Sequence, residues 1–201
     1  MYRKLRNDEL NRLSAQEFKI AEKLPVAVVL DNVRSQHNIG SAFRTADSFL
    51  IEKVYLCGIC AVPPTPEIHK SALGAEFSVE WEYFGKTSDA VTELKEKGYK
   101  IVSVEQSENS TWLQEIAPEN GCKYALIFGN EVKGVQQEIV DMSDEVVEIP
   151  QYGTKHSLNI SVSVGVVLWE YAKKLKINCK PRAMTELVQA LPRRSVIVDE
   201  I

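Results

Sequence analysis

The stretch VVEIPQYGTKHSLNISVSVGVVL, residues 146–168, passes from a β-branched run through a loop of hydrogen-bonding side chains into an aliphatic segment. Glu145 to Ile149 has the composition of a strand, and Pro150 and Gly153 mark its end. Ser157 to Lys174 reads as a helix whose body, Val162 to Leu168, is almost wholly aliphatic and therefore belongs in a core. A strand, a loop and a buried helix make one β-α unit, and that unit decides the fold class if it recurs. The run HSLNIS, His156 to Ser161, poses a second question: polar groups at the head of a core helix need partners.

The unit does recur. Strands are expected at Val26 to Leu30, Val54 to Ile59, Val79 to Phe84, Ile101 to Val104 and Tyr124 to Phe128, several of them continuous apolar runs of the kind covered on both faces. Between them, helices are expected at Asn38 to Phe49 and Lys86 to Lys97, with a short turn near Val135 to Asp141. Alternating strands and helices imply an α/β domain, a mostly parallel sheet with helices on both faces. Pro63, Pro64 and Pro66 mark a loop, and Pro181 opens a C-terminal tail whose last residues, VIVDEI, are an edge element or a free end. At 201 residues the chain suits one sizeable core, divided here into an arm (1–24), a main domain (25–176) and a tail (177–201).

Charge and cysteine usage narrow the chemistry. The start MYRKLRNDELNRLSAQEF is charged throughout, with no secretory leader, and no run approaches the roughly 20 apolar residues that span a bilayer, so a cytoplasmic protein without membrane contact is expected. Net charge is −4, but the arm carries Arg3, Lys4, Arg6, Arg12, Lys19 and Lys23 against Asp8, Glu9, Glu17 and Glu22, a local +2 that suits RNA. Cys57 and Cys60 match C-x-x-C, yet no second pair exists for a zinc site, and VYLCGIC reads as a buried strand and its end. They are taken as reduced core residues, and no metal is expected.

In open α/β sheets ligands bind beyond the carboxyl ends of the strands. Three such stretches carry polar signals: DNVRSQHNIGSAFRTADSF after Leu30, GNEVKGV after Phe128, and PQYGTKHSLNIS after Ile149. In the second, Val135 and Gln136 stand where a phosphate-binding loop needs Lys and Ser or Thr, and no G-x-G-x-x-G is present. A nucleotide-dependent phosphohydrolase and a nicotinamide enzyme both lose their sequence support. In the first, Asn38 suits a helix N-cap, Gly40 leaves room for close approach, and Arg44 follows one turn later on the same face.

Taken together, Asn38, Gly40 and Arg44, then Phe128 to Glu131 with Gly134, then Ile149, Pro150, Gly153, Ser157, Leu158, Asn159 and Ser161, resemble the SpoU family. These are the TrmH-like RNA ribose 2′-O-methyltransferases of the SPOUT superfamily. His69 to Ala75 is similar to the family's segment between the first two motifs, and the resemblance runs from about Val26 to Lys174. Gln151 departs from the pattern, where relatives often carry Met.

The resemblance implies a deep C-terminal trefoil knot, which general rules of chain connectivity would not suggest. It also implies S-adenosylmethionine as methyl donor, RNA as substrate, and a homodimer whose active site draws on both subunits. Carried over, it places Asn38, Arg44, Glu131, Ser157 and Asn159 at the catalytic centre. The methyl donor falls to Val104 and Glu105, to Gly129 and Asn130, and to Ile149 and Leu158. On this reading Ser157 and Asn159 cap the last helix while facing cofactor and ribose, Glu131 orients Arg44, and Val162, Val166 and Trp169 lie near the dimer contact. A separate substrate domain of the kind some relatives carry is not expected, and tRNA is slightly favoured over rRNA by analogy with smaller relatives. The rival reading is a non-catalytic RNA-binding dimer that keeps the knot.

Overall fold

A computed structural model describes residues 2–6, 9–10 and 12–175. The tail assigned to 177–201, with its VIVDEI end, lies outside the described residues. Seven strands form one sheet: β1 (Leu24–Asp31), β2 (Ile51–Cys57), β3 (Trp81–Phe84), β4 (Tyr99–Val104), β5 (Thr111–Trp112), β6 (Lys123–Phe128) and β7 (Glu145–Glu148). Their order is β3-β2-β1-β6-β4-β7-β5, and every neighbouring pair is parallel.

The continuous apolar runs have the reason expected of them. In β1, Val26, Val28 and Leu30 face one core while Ala27 and Val29 face the other, because successive side chains alternate across the pleat. The first face is covered by α1 (Ala15–Ile20), α2 (Gln36–Ser48), α3 (Pro66–Ala72), α4 (Ala75–Ser78) and α7 (Ile160–Leu175). The second face is covered by α5 (Thr87–Glu96) and α6 (Gln137–Met142). Part of the basic arm belongs to the packed body, since Phe18 of α1 is buried in the first core.

Several boundaries differ from those expected, for local reasons. The cap of α2 is Ser35, whose hydroxyl accepts the Asn38 amide at 3.3 Å, so Asn38 sits inside the first turn instead of capping it. The final helix begins at Ile160 rather than Ser157: Asn159 is its cap, with Oδ1 accepting Ser161 N at 2.8 Å and Ser161 Oγ at 2.6 Å. Pro66 opens α3 behind the Thr65 cap, and the two-residue β5 extends the sheet beyond β7. Gly40 behaves as expected, since a Cβ there would meet Ser71 Oγ at 2.1 Å and Ile68 O at 2.4 Å. Only glycine lets α2 and α3 lie this close.

The C-x-x-C pair is part of the core. Cys57 and Cys60 are buried free thiols, and Cys60 Sγ donates to Leu30 O and accepts from Val33 N, each at 3.2 Å. Burial pushes the Cys57 thiol up to about 12 and the Cys60 thiol up to about 11. Both are therefore expected to resist alkylation in the native protein at pH 8, while the partly exposed Cys122 reacts. Peptide mapping after a timed pulse of iodoacetamide checks this, and rapid native labelling at Cys57 or Cys60 contradicts it.

Candidate active site

The three polar stretches meet at the carboxyl ends of the central strands. Strands β1 and β4 flank β6, and β7 lies beside β4, so the segments leaving these four strands share one rim. The chain steps from β1 to β2 and β3 on one side and returns to β6, β4 and β7 on the other, which is where α/β sheets open a crevice.

Glu131 is the hub of this rim. Its carboxylate accepts the main-chain amides of Arg34 at 3.1 Å and Ser35 at 3.0 Å, and the side-chain amide of Asn38 at 3.1 Å. With its NH2 group so engaged, Asn38 turns Oδ1 toward Asn159, whose Nδ2 donates to it at 3.3 Å. One carboxylate thereby links the segment after β6 to the head of α2, and Asn38 links α2 to the cap of α7. Asn38 is buried, so this orientation is held by packing as well. Burial by itself raises the pKa of Glu131, but hydrogen bonds from the amides of Arg34, Glu131 and Ser35 and from the Asn38 side chain outweigh it, and the carboxyl lies below its ordinary value.

Other residues take different positions from those expected. Within one subunit Glu131 does not meet Arg44: its oxygens are engaged by Arg34, Ser35 and Asn38, and the exposed Arg44 side chain has no hydrogen bond or ion pair among the described residues. Ser157 is exposed in the loop before α7 and does not cap it. His156 to Ser161 is thus only partly self-satisfied, through Asn159.

The residues assigned to the methyl donor all lie at the same rim. Val104 ends β4, Gly129 and Asn130 follow β6, Ile149 follows β7, and Leu158 is 40% exposed beside Asn159. Glu105 is turned inward, with its oxygens accepting Gln106 N and Val135 N at 2.9 Å each. Gly129 is needed by the chain itself, because a Cβ there would lie 2.0 Å from Gly134 C and Val135 N. Asn130 and Gly134 close this loop with reciprocal main-chain hydrogen bonds of 2.9 Å. What the rim offers is main chain and the partly exposed aliphatic surface of Val104, Ile149 and Leu158, which suits an adenosine and its sulfonium arm rather than a triphosphate.

Sequence reasoning missed Asp31, Asn32 and Gln136. Asn32 has φ +56°, a left-handed conformation that asparagine tolerates better than most side chains, and its carbonyl accepts Asn130 Nδ2 at 2.7 Å. The dipeptide Asp31-Asn32 directly after a strand was the available signal.

The chain is similar to known proteins in sequence and fold. The SpoU rRNA Methylase family matches residues 25–169. The chain belongs to this family. It is similar to the tRNA (guanosine(18)-2′-O)-methyltransferase of Aquifex aeolicus, 29% identical over 180 residues that cover 87% of this chain and 82% of that one. A 23S rRNA (guanosine-2′-O-)-methyltransferase of Neisseria meningitidis is 31% identical over 146 residues, 73% of this chain and 57% of its own length. Among solved structures, the AdoMet-bound rRNA methyltransferase of Sinorhizobium meliloti superposes with a TM-score of 0.70 at 26% identity, covering 76% of this chain and 57% of that one. The chain thus spans little more than half the length of the latter two. The described part is an α/β unit built on a parallel sheet. Among the described residues no helix is long and apolar enough to cross a membrane, and no group of three His, Cys, Asp or Glu is placed to hold a metal.

Proposed function

We propose that the protein transfers a methyl group from S-adenosylmethionine to a ribose 2′-hydroxyl of structured RNA, with tRNA favoured over rRNA and the cytoplasm as its place of action. The observation that carries this reading is the Glu131-Asn38-Asn159 linkage, which joins the family's three motifs at one rim. The preference for tRNA rests on the Aquifex relative, most of whose length the chain matches.

When bound, S-adenosylmethionine supplies an electrophilic methyl on a sulfonium: the ribose oxygen forms the new O–C bond, the S–C bond breaks, and a neutral thioether leaves. Val104, Gly129, Asn130, Ile149 and Leu158 would hold that donor through main chain and aliphatic surface. Asn159 and Ser157 reach the ribose hydroxyls, Ser157 from its exposed position before α7. Arg44 stabilises the developing alkoxide or clamps a neighbouring phosphate, and a guanidinium stays protonated, so the hydroxyl proton passes to an RNA phosphate or to water.

Two subunits build the site on this reading. Arg44 lies six residues beyond Asn38 in α2, roughly 9 Å along the axis and about 120° around it. A side chain so placed does not turn toward the Asn38-Asn159 pair of its own subunit, which supports its use in a partner's site. The face for that contact is the strip of Val162, Val166 and Trp169, which are 49%, 39% and 60% exposed on α7, opposite its buried Val164, Val167, Leu168 and Tyr171. Sedimentation at micromolar concentration is expected to give a dimer, and Val166→Glu a monomer without methyl transfer; a fully active monomeric parent sinks the composite site. The family resemblance also implies a deep C-terminal trefoil knot.

Mass analysis of total RNA nucleosides from a deletion strain tests the function. Loss of one 2′-O-methylnucleoside, restored by the gene, is expected. An unchanged nucleoside profile, together with no binding of S-adenosylmethionine by calorimetry, would point to the non-catalytic RNA-binding dimer instead.

A further inference from the structure

The loop that carries Glu131 is gripped from both sides. Asp31, at the end of β1, is fully buried, and its Oδ2 accepts the main-chain amide of Gln136 at 2.9 Å. Its Oδ1 accepts Gln136 Nε2 at 2.7 Å, Thr87 Oγ1 at 2.6 Å and Asn32 Nδ2 at 2.8 Å. Glu105, just past β4, accepts the adjacent main-chain amide, that of Val135, at 2.9 Å. Strands β1 and β4 are the two neighbours of β6. Two consecutive amides at the far end of the loop from β6 are therefore held by two carboxylates, one from each flanking strand.

The near end is fixed as well, by Asn130 Nδ2 on Asn32 O at 2.7 Å and by the Asn130–Gly134 main-chain pair. Only the tip, Glu131 to Lys133, projects from this frame, and its carboxylate organises the head of α2. A buried carboxylate is costly unless its oxygens are fully hydrogen-bonded, and Asp31 meets that condition with donors that lead to α5 and to the catalytic loop.

We infer that Asp31 and Glu105 are positioning residues for methyl transfer: by clamping Gln136 N and Val135 N they set the height and angle of the 129–134 loop, and so deliver Glu131 to Asn38. The inference rests on the methyl-transfer reading for its effect on rate, and on the structure alone for its effect on the loop. Asp31→Asn is the sharp test. The amide conserves shape but offers one acceptor in place of two, so an NH2 group must face either Gln136 N–H or the three donors around Oδ1, and the loop loses its anchor.

Three measurements on the full-length protein decide it. Under single turnover with saturating RNA and S-adenosylmethionine, Asp31→Asn is expected to lower the rate about tenfold, with RNA affinity within about twofold of the parent. In amide hydrogen exchange, residues 129–136 are expected to lose protection while β1, β4 and β6 keep theirs. In a double-mutant cycle, Asp31→Asn combined with Glu131→Gln should be about as slow as Glu131→Gln alone, because both remove the same delivery; a role in global stability alone would make the two losses multiply. Glu105→Gln acts on the neighbouring amide from the other strand and carries the test if Asp31→Asn does not fold. Unchanged exchange across 129–136, or parental rates in a folded variant, or multiplying effects in the cycle, each overturns the inference. A parent without methyl transfer overturns the proposed function instead, and the exchange measurement still decides whether the carboxylates hold the loop.

Discussion

Arg44→Ala is expected to lower methyl transfer to RNA by about 100-fold while leaving the affinity for S-adenosylmethionine close to that of the parent. The size is that of losing a charge aimed at the transition state, and the selectivity follows from position. Arg44 stands in α2, which follows β1, whereas the crevice assigned to the methyl donor is formed by the segments after β4, β6 and β7. Its side chain is exposed and has no partner among the described residues, so removing it should cost the fold no more than about 0.5 kcal/mol. A loss of rate is then not a loss of protein. Arg44→Lys keeps the charge but not the planar fork, and should recover little if the contact is bidentate to a phosphate. Single-turnover transfer to undermodified tRNA, beside a direct titration of the cofactor, checks both variants. A parental rate in Arg44→Ala removes Arg44 from the chemistry, and a parallel loss of cofactor binding moves it to the donor site.

How much of this was legible beforehand differs between the frame and the site. The frame was carried by patterns that local physics writes directly into sequence: the unbroken, β-branched run Val26 to Leu30 suits a strand covered on both sides, and it is one. The family was legible through the three motifs. What sequence did not show is who bonds whom. Asn38 has the composition of a cap, but Ser35 lies three residues before it, the distance at which a hydroxyl reaches an amide inside the first turn, so Ser35 takes the role. Glu131 and Arg44 have opposite charges and matching motifs, yet the carboxylate is claimed by amides 93 to 97 residues away, and such long-range hydrogen bonding has no local signature. The same holds for Asp31 and Gln136, separated by 105 residues and read from sequence as the start of the polar stretch after Leu30 and part of a short turn.

Gly129 carries the second large effect, and here the structure changes the cause while keeping the direction. A glycine assigned to the methyl donor invites the account that a side chain there obstructs the cofactor's approach to the backbone. In the fold, the space is already taken by the chain: a Cβ would lie 2.0 Å from Gly134 C and Val135 N and 2.3 Å from Gly134 O. Those atoms are main chain, held by the Asn130–Gly134 pair and by Glu105 on Val135 N, so they cannot swing aside as a flexible side chain would. Gly129→Ala is therefore already disruptive, with a destabilisation of about 1–3 kcal/mol expected for overpacking at a fixed site, and Gly129→Val more so. Because the displaced segment leads through Asn130 to Glu131, S-adenosylmethionine affinity should fall at least about tenfold even in Gly129→Ala, where little of the added bulk faces the crevice. The two causes separate in the cofactor-free protein. A clash within the chain lowers the unfolding midpoint and exposes the 129–136 amides to exchange without any cofactor present, whereas mere obstruction of the cofactor leaves the free protein as stable as the parent. Thermal unfolding of the cofactor-free Gly129→Ala variant at the parental midpoint would return the glycine to the cofactor.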